Sequence, residues 1–272
     1  MNNFGVMREL HAVNTSWLPS KGIPYPQGIE IAVSPLSIRE RRLLEGASQS
    51  EYYRNLLQGI TVRGDFNKED LLFHDVNFLD LVRRLFTFER DKKITISNYV
   101  CPHCGKDDNK VSFNFADLEF EDFNPEIFGK TEKLKNEEGE EISITIPGKA
   151  YTFSDGMTVY ARPMTVKDYI DMATKYLTNF NEARRQEKFA DLYVALFSYM
   201  IVAVKDREYK DVDARRDFLC DYIGNLYKAS DADILSQIET DMSIILKPIE
   251  VKCPECGNPI EVYVNPQMSF QQ

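Results

Sequence analysis

The sequence predicts an α+β protein made of two diverged tandem halves, each running from a strand through helices to a Cys-Pro-x-Cys-Gly knuckle hairpin of zinc-ribbon type. Three observations carry this expectation. Tyr25 to Ser37 (YPQGIEIAVSPLS) parallels Phe153 to Thr165 (FSDGMTVYARPMT) at a constant offset of 128, with Gly28 over Gly156, Pro35 over Pro163 and Ser37 over Thr165. Both halves reach the same knuckle, Cys101-Pro-His-Cys104-Gly105 and Cys253-Pro-Glu-Cys256-Gly257, where the offset is 152. Strand-like alternation follows each knuckle, through Val111, Phe113 and Phe115 in one half and Ile260, Val262 and Val264 in the other. Chance likeness of two strand-to-helix units is the alternative to duplication.

In chain order, Ile29, Ile31 and Val33, and later Met157, Val159 and Ala161, alternate with polar neighbours as half-buried strands do. Helix starts follow at Ser37-Ile-Arg-Glu40 and Thr165-Val-Lys-Asp168, where a hydroxyl caps free amides and an acid three residues on supports the first turn. The shorter Asp168 makes the second box imperfect. Phe78, Leu79, Val82, Leu85 and Phe86 form one helical stripe, with Arg83 and Arg84 between its members. Phe218, Leu219, Tyr222, Ile223 and Leu226 form a second, and Ile234, Ile238, Met242 and Ile245 a third, which Ser230 is placed to cap. The longest apolar stretch, Leu192 to Val204, is too short for a bilayer, which needs about 20 residues, and reads as a buried helix. The growth of the offset from 128 to 152 assigns about 24 additional residues to the second half, expected as longer helices. Between the halves, Glu121 to Gly148 contains KTEKLKNEEGEEIS, which suits a surface loop or hairpin, or an arm that orders against a neighbour. The halves are therefore 1–140 and 141–272.

A chain of 272 residues can bury a sizeable core, and 43% hydrophobic with 28% charged residues is ordinary globular composition. A net charge of -10 argues against a nucleic-acid or anionic-membrane surface. The start, MNNFGVMREL, lacks the pattern of a secretory signal. Five cysteines, four of them in Cys-x-x-Cys pairs, point to metal chemistry in a reducing compartment and so to synthesis in a cytoplasm.

Each knuckle turns two sulfurs to one side, and two such turns supply a tetrahedral shell, so Cys101, Cys104, Cys253 and Cys256 are the candidate ligands of a structural zinc. The 148 residues between the pairs leave three arrangements open: one shared ion, knuckles without metal, and separate or intersubunit sites. His103 reads as solvent-facing and Cys220 as a small core residue. A redox role needs one reactive pair at a helix start, whereas these pairs have strand-like flanks. His11, His74 and His103 fall in no hydrolase pattern, and Phe128-Gly129-Lys130-Thr131 lacks the first glycine and the preceding strand of a phosphate loop. Glu119 with Glu121 reads as an acid pair that is solvated or faces a basic partner, and Tyr52, Tyr53, Tyr151 and Tyr160 as either interface or core.

The run Trp17-Leu-Pro-Ser-Lys-Gly-Ile-Pro-Tyr25, the strand after it, Pro35-Leu-Ser37, Glu40, a helix over Asp75 to Phe88 and the Cys101 knuckle together resemble the T-even-type phage baseplate protein family. The likeness covers roughly 17 to 120, and more weakly 150 to 264 through the repeat; Ser37 stands where the family has threonine. It implies a non-enzymatic structural component of a contractile phage tail baseplate, hub or wedge, located in the virion tail and made in the host cytoplasm. Its partners would be other tail and baseplate proteins, with no nucleic acid, membrane or small-molecule substrate. The family also implies an alternative, a hub assembly chaperone absent from the finished virion. Leu18, Pro19, Ser20, Gly22 and Tyr25 match the opening motif and are the candidate partner-binding positions; physically they form an extended segment that covers either a partner's sheet edge or its own. A zinc-ribbon regulator of nucleic acid is a third class, against which the acidic balance counts.

Overall fold

The computed structural model describes residues 9–88, 93–107, 109–114, 118–135, 141–177 and 185–262. It is a mixed α+β fold. The chain runs β1 (His11–Val13), β2 (Glu30–Val33), α1 (Ile38–Glu45), α2 (Gln49–Leu57), β3 (Ile60–Arg63), α3 (Phe73–Phe88), β4 (Lys93–Tyr99) and β5 (Asn109–Asn114). It continues through β6 (Lys130–Lys135), β7 (Glu141–Ile146), β8 (Lys149–Thr152), β9 (Thr158–Ala161), α4 (Val166–Met172), α5 (Arg185–Met200), β10 (Ile201–Val204), α6 (Val212–Gly224), α7 (Ala229–Met242), β11 (Ile249–Lys252) and β12 (Pro259–Val262). Strands β1, β2 and β3 form one antiparallel sheet, β8, β9 and β10 another, and β4–β5, β6–β7 and β11–β12 are two-stranded ribbons.

The alternating residues build the sheet cores: Ile31 and Val33 of β2 and Val159 and Ala161 of β9 are buried. Both helix starts close as capping boxes. The Ser37 amide donates to the Glu40 carboxylate at 2.9 Å, and the Thr165 amide reaches the shorter Asp168 at 3.3 Å. Each capping acid also holds an arginine, Arg83 of α3 at 3.0 Å from Glu40 and Arg216 of α6 at 2.7 Å from Asp168. Arg83 is fully buried; its Nε and Nη1 donate to the carbonyls of Ser34 and Leu56, and its guanidinium lies where a side chain at position 59 would stand. Gly59 is what leaves that room.

Several expectations are corrected. Leu192 to Val204 is not one helix: α5 ends at Met200 and the chain passes directly into β10. The offset grows from 128 at β2 and β9 (30 to 158) to 141 at β3 and β10 (60 to 201), where α5 has 16 residues against 9 in α2. The rest of the growth is an additional helix, because α6 and α7 stand where the first half has α3 alone. Ser230 lies inside α7, whose N-cap is Lys228 with no side-chain cap bond, and Ile245 lies past its end, 46% exposed. Tyr53 and Tyr151 are core residues, while Tyr52 and Tyr160 are partly exposed, Tyr52 donating to Asp80 at 2.6 Å. The charged run forms the β6–β7 hairpin; 136–140, Phe115 and Val264 lie outside the described residues. Glu119 meets the expected basic partner in Lys247, 3.3 Å away.

Two hydrophobic cores form, and each draws on both halves of the sequence. The first joins Val33, Leu56, Ile60, Val76 and Leu79 with Val166 and Ile244, and the second joins Val159, Phe197, Ile201, Leu219 and Ile238 with Ile127. Between them the Phe73 amide donates to the Met164 carbonyl at 2.9 Å and the Val166 amide to the Leu71 carbonyl at 2.8 Å. The Phe73 and Tyr169 rings stack there at 4.0 Å. Among the described residues no helix is long and apolar enough to cross a membrane.

Candidate metal centre

The two knuckles are built alike. In each, the amide of the first cysteine donates to a carbonyl five residues on, Cys101 to Lys106 and Cys253 to Asn258, both at 2.9 Å. The glycine amide returns to that cysteine's carbonyl, Gly105 to Cys101 and Gly257 to Cys253, again at 2.9 Å. That return needs a left-handed backbone, φ 70° at Gly105 and 71° at Gly257, which glycine adopts without strain. The first knuckle joins β4 to β5 and the second joins β11 to β12, both antiparallel.

The turns face one another. Cys101 Sγ lies 3.8 Å from Cys256 Sγ and Cys104 Sγ 3.9 Å from Cys253 Sγ, and all four sulfurs are within 4.8 Å of one another. With metal–sulfur bonds of about 2.3 Å, a regular tetrahedron has edges of about 3.8 Å. The four thiols therefore fit one ion, and because each knuckle supplies two sulfurs, neither completes a four-sulfur shell alone. Cys101 and Cys253 are buried against Val251, Ile260 and Val262, while Cys104 and Cys256 are exposed. Burial raises the Cys101 thiol, but the amides of Cys104 and His103 and the sulfurs of Cys104 and Cys253 outweigh it and bring it down to about 6. The Lys106 amide lowers Cys104, yet burial and the protons shared with the other three sulfurs push it up to about 12. His103 is exposed and its Nε2 lies 3.1 Å from the Pro259 carbonyl, bridging the knuckles from outside the sulfur shell.

A family model described as the T4 bacteriophage base plate protein matches residues 13–270. The chain belongs to that family. No curated protein and no solved structure matches it.

In this baseplate-family chain the opening motif turns inward. Leu18 is 1% and Ser20 0% exposed, and Pro19 and Tyr25 are buried as well. The Ser20 amide donates to Asp75 Oδ1 at 2.9 Å and its hydroxyl to Oδ2 at 2.6 Å; the Tyr25 hydroxyl also donates to Oδ2 and accepts the Leu72 amide at 3.0 Å. Gly22 has φ 73°, and a Cβ there would meet Thr15 at 2.9 Å. These four side chains pack within the chain, and the motif's exposed residues are Trp17, Lys21 and Ile23.

Asp75 was not singled out from sequence, although the second half repeats its setting. Ser154 donates its amide to Asp231 Oδ1 at 2.8 Å and its hydroxyl to Oδ2 at 2.9 Å, and Asp231 is likewise buried at a helix start. The signal was present as Ser-x-Gly twice, Ser20-Lys-Gly22 and Ser154-Asp-Gly156, and as an acid followed by Phe78-Leu79 or Ile234-Leu235. Gly129 follows a short helical turn and precedes β6, the reverse of a phosphate loop's strand-then-helix order. Cys220 lies on α6, partly buried.

Proposed function

We propose that this protein is a non-enzymatic structural subunit of a contractile phage tail baseplate, in the hub or the wedge, acting through contacts with other tail proteins. The family match over 13–270 carries the reading. The subunit is made in the host cytoplasm and resides in the virion tail; nucleic acid, membrane and small-molecule substrates have no part in its work. Its two units, 1–140 and 141–272, descend from one ancestral unit. Support for this comes from the paired knuckles, the two acid–arginine pairs at capping boxes and the two serine–aspartate clamps. Cys101, Cys104, Cys253 and Cys256 hold one structural zinc, supported by the fit of the sulfur–sulfur distances to a single tetrahedral shell. The metal's part is to tie the two ribbons together.

Mass spectrometry of purified particles, with copy numbers referenced to the tail-tube protein, tests the reading. A stoichiometric presence is expected. Abundance in infected-cell lysate with absence from particles would replace it with the hub assembly chaperone.

A further inference from the structure

A groove of about 540 Å³ opens beside the opening motif, its apolar lining supplied by Trp17, Leu18, Phe78, Leu118 and Phe120. Trp17, the chain's one tryptophan, is 58% exposed at its mouth. Solvated tryptophan is unusual away from interfaces, where it is a frequent anchor.

The charges on the rim neutralise one another: Lys21 pairs with Asp122 at 3.2 Å and Lys247 with Glu119 at 3.3 Å. Among the described residues that line it, the groove therefore offers apolar surface with no unmatched charge. Its lining also has backbone to offer. Phe120 bridges Leu246 antiparallel, with the Glu121 amide donating to the Ile245 carbonyl at 2.9 Å and the Lys247 amide to the Glu119 carbonyl at 2.8 Å. In such a pair the amide and carbonyl of Phe120 point away from Leu246. Among the described residues neither has a partner. An open strand edge beside an apolar floor accepts an extended chain, backbone to backbone, with alternate side chains entering the groove.

We propose that this groove is a strand-addition site for an extended, uncharged, apolar segment of a different baseplate protein, paired with Leu118 to Asp122 and clasped by Trp17. The self-paired rim selects against a charged segment, because a charged side chain entering there would lose water and find no free counter-charge among the described rim residues. The site lies where 118–122 meets 245–247, so an added strand would brace the two halves together. The proposal rests on the chain working inside a baseplate.

The test combines two measurements on the full-length protein. The photo-crosslinking amino acid p-benzoylphenylalanine replaces Ser16, which lines the groove and is exposed, with Tyr227, 89% exposed, as the comparison position. Hydrogen exchange of the Leu118 to Asp122 amides is then compared between the isolated protein and the assembly. The expected result is a cross-link from position 16, and not from 227, into one uncharged apolar segment of another baseplate protein. Exchange at Phe120 should be slowed about tenfold or more on assembly. A cross-link to a second copy of this chain, to its own residues or to a charged segment overturns the proposal, as does unchanged exchange at Phe120 in particles that contain the chain. Should particles lack the chain, the subunit reading fails on its own, and the same two measurements on the tagged complex from infected cells decide the groove separately.

Discussion

At the residue scale, two buried carboxylates answer the same problem in opposite ways. Asp75 has only neutral donors, from Ser20 and Tyr25, and burial pushes its carboxyl up from an ordinary 3.8 to about 6 despite them. A folded pKa above the unfolded one means that the group's stabilisation is complete below pH 4 and is lost as the pH climbs through about 6. The swing is at most about 3 kcal/mol, two units at about 1.4 each. Asp75→Asn should remove that slope: urea midpoints from pH 4 to 7.5 should fall for the native protein relative to the variant, and parallel profiles would contradict this account. Glu40 has the buried Arg83 guanidinium. Burial opposes its ionisation, but the Ser37 hydroxyl and amide together with Arg83 hold it down at about 2, so its contribution is present above about 4.5 and lost as the pH falls towards 2. Glu40→Gln removes the carboxylate that Glu40 sets against the buried Arg83 guanidinium and should cost about 3–5 kcal/mol at neutral pH, read by equilibrium denaturation.

At the scale of elements, the knuckles depend on one backbone state. Nothing crowds a Cβ at Gly105 or Gly257, so the penalty for alanine is conformational alone. Gly105→Ala and Gly257→Ala should each cost about 1–2 kcal/mol, and asparagine at either position less. Unequal losses measured by denaturation would mean that the two turns bear different loads. These turns, the capping boxes and the alternating strands were legible in the sequence because each is specified by residues within a few positions of one another. The end of α5 was not. Apart from the buried Ser198, Leu192 to Val204 is apolar through the last turn of α5 and into β10, and a buried helix and a buried strand ask for the same residues. Nor could the sequence pair Gly59 with Arg83 or Ser20 with Asp75, since those contacts exist only once distant elements are packed. The four cysteines were legible as ligand types, and their convergence required the fold.

Over the whole molecule, both cores mix residues from 1–140 and 141–272, and the sulfurs join positions 101 and 253 across 152 intervening steps of chain. Interlocked cores should unfold together, so calorimetry should record one transition with calorimetric and van't Hoff enthalpies in agreement. A tie across so long a loop restricts the unfolded chain; for a covalent link across about 100 residues the chain-entropy contribution is about 4.7 kcal/mol. The proposed shared ion would add its own bonds to that restriction. Elemental analysis should then find one zinc per chain, and a strong chelator should lower the melting temperature of the whole transition instead of splitting off a minor one. Replacing Cys101 and Cys256 by serine together should reproduce the chelated state, because that pair takes one ligand from each knuckle. If each knuckle held its own ion, or shared one with another subunit, metal content would depart from one per chain or vary with protein concentration. If neither held an ion, melting would be indifferent to the chelator.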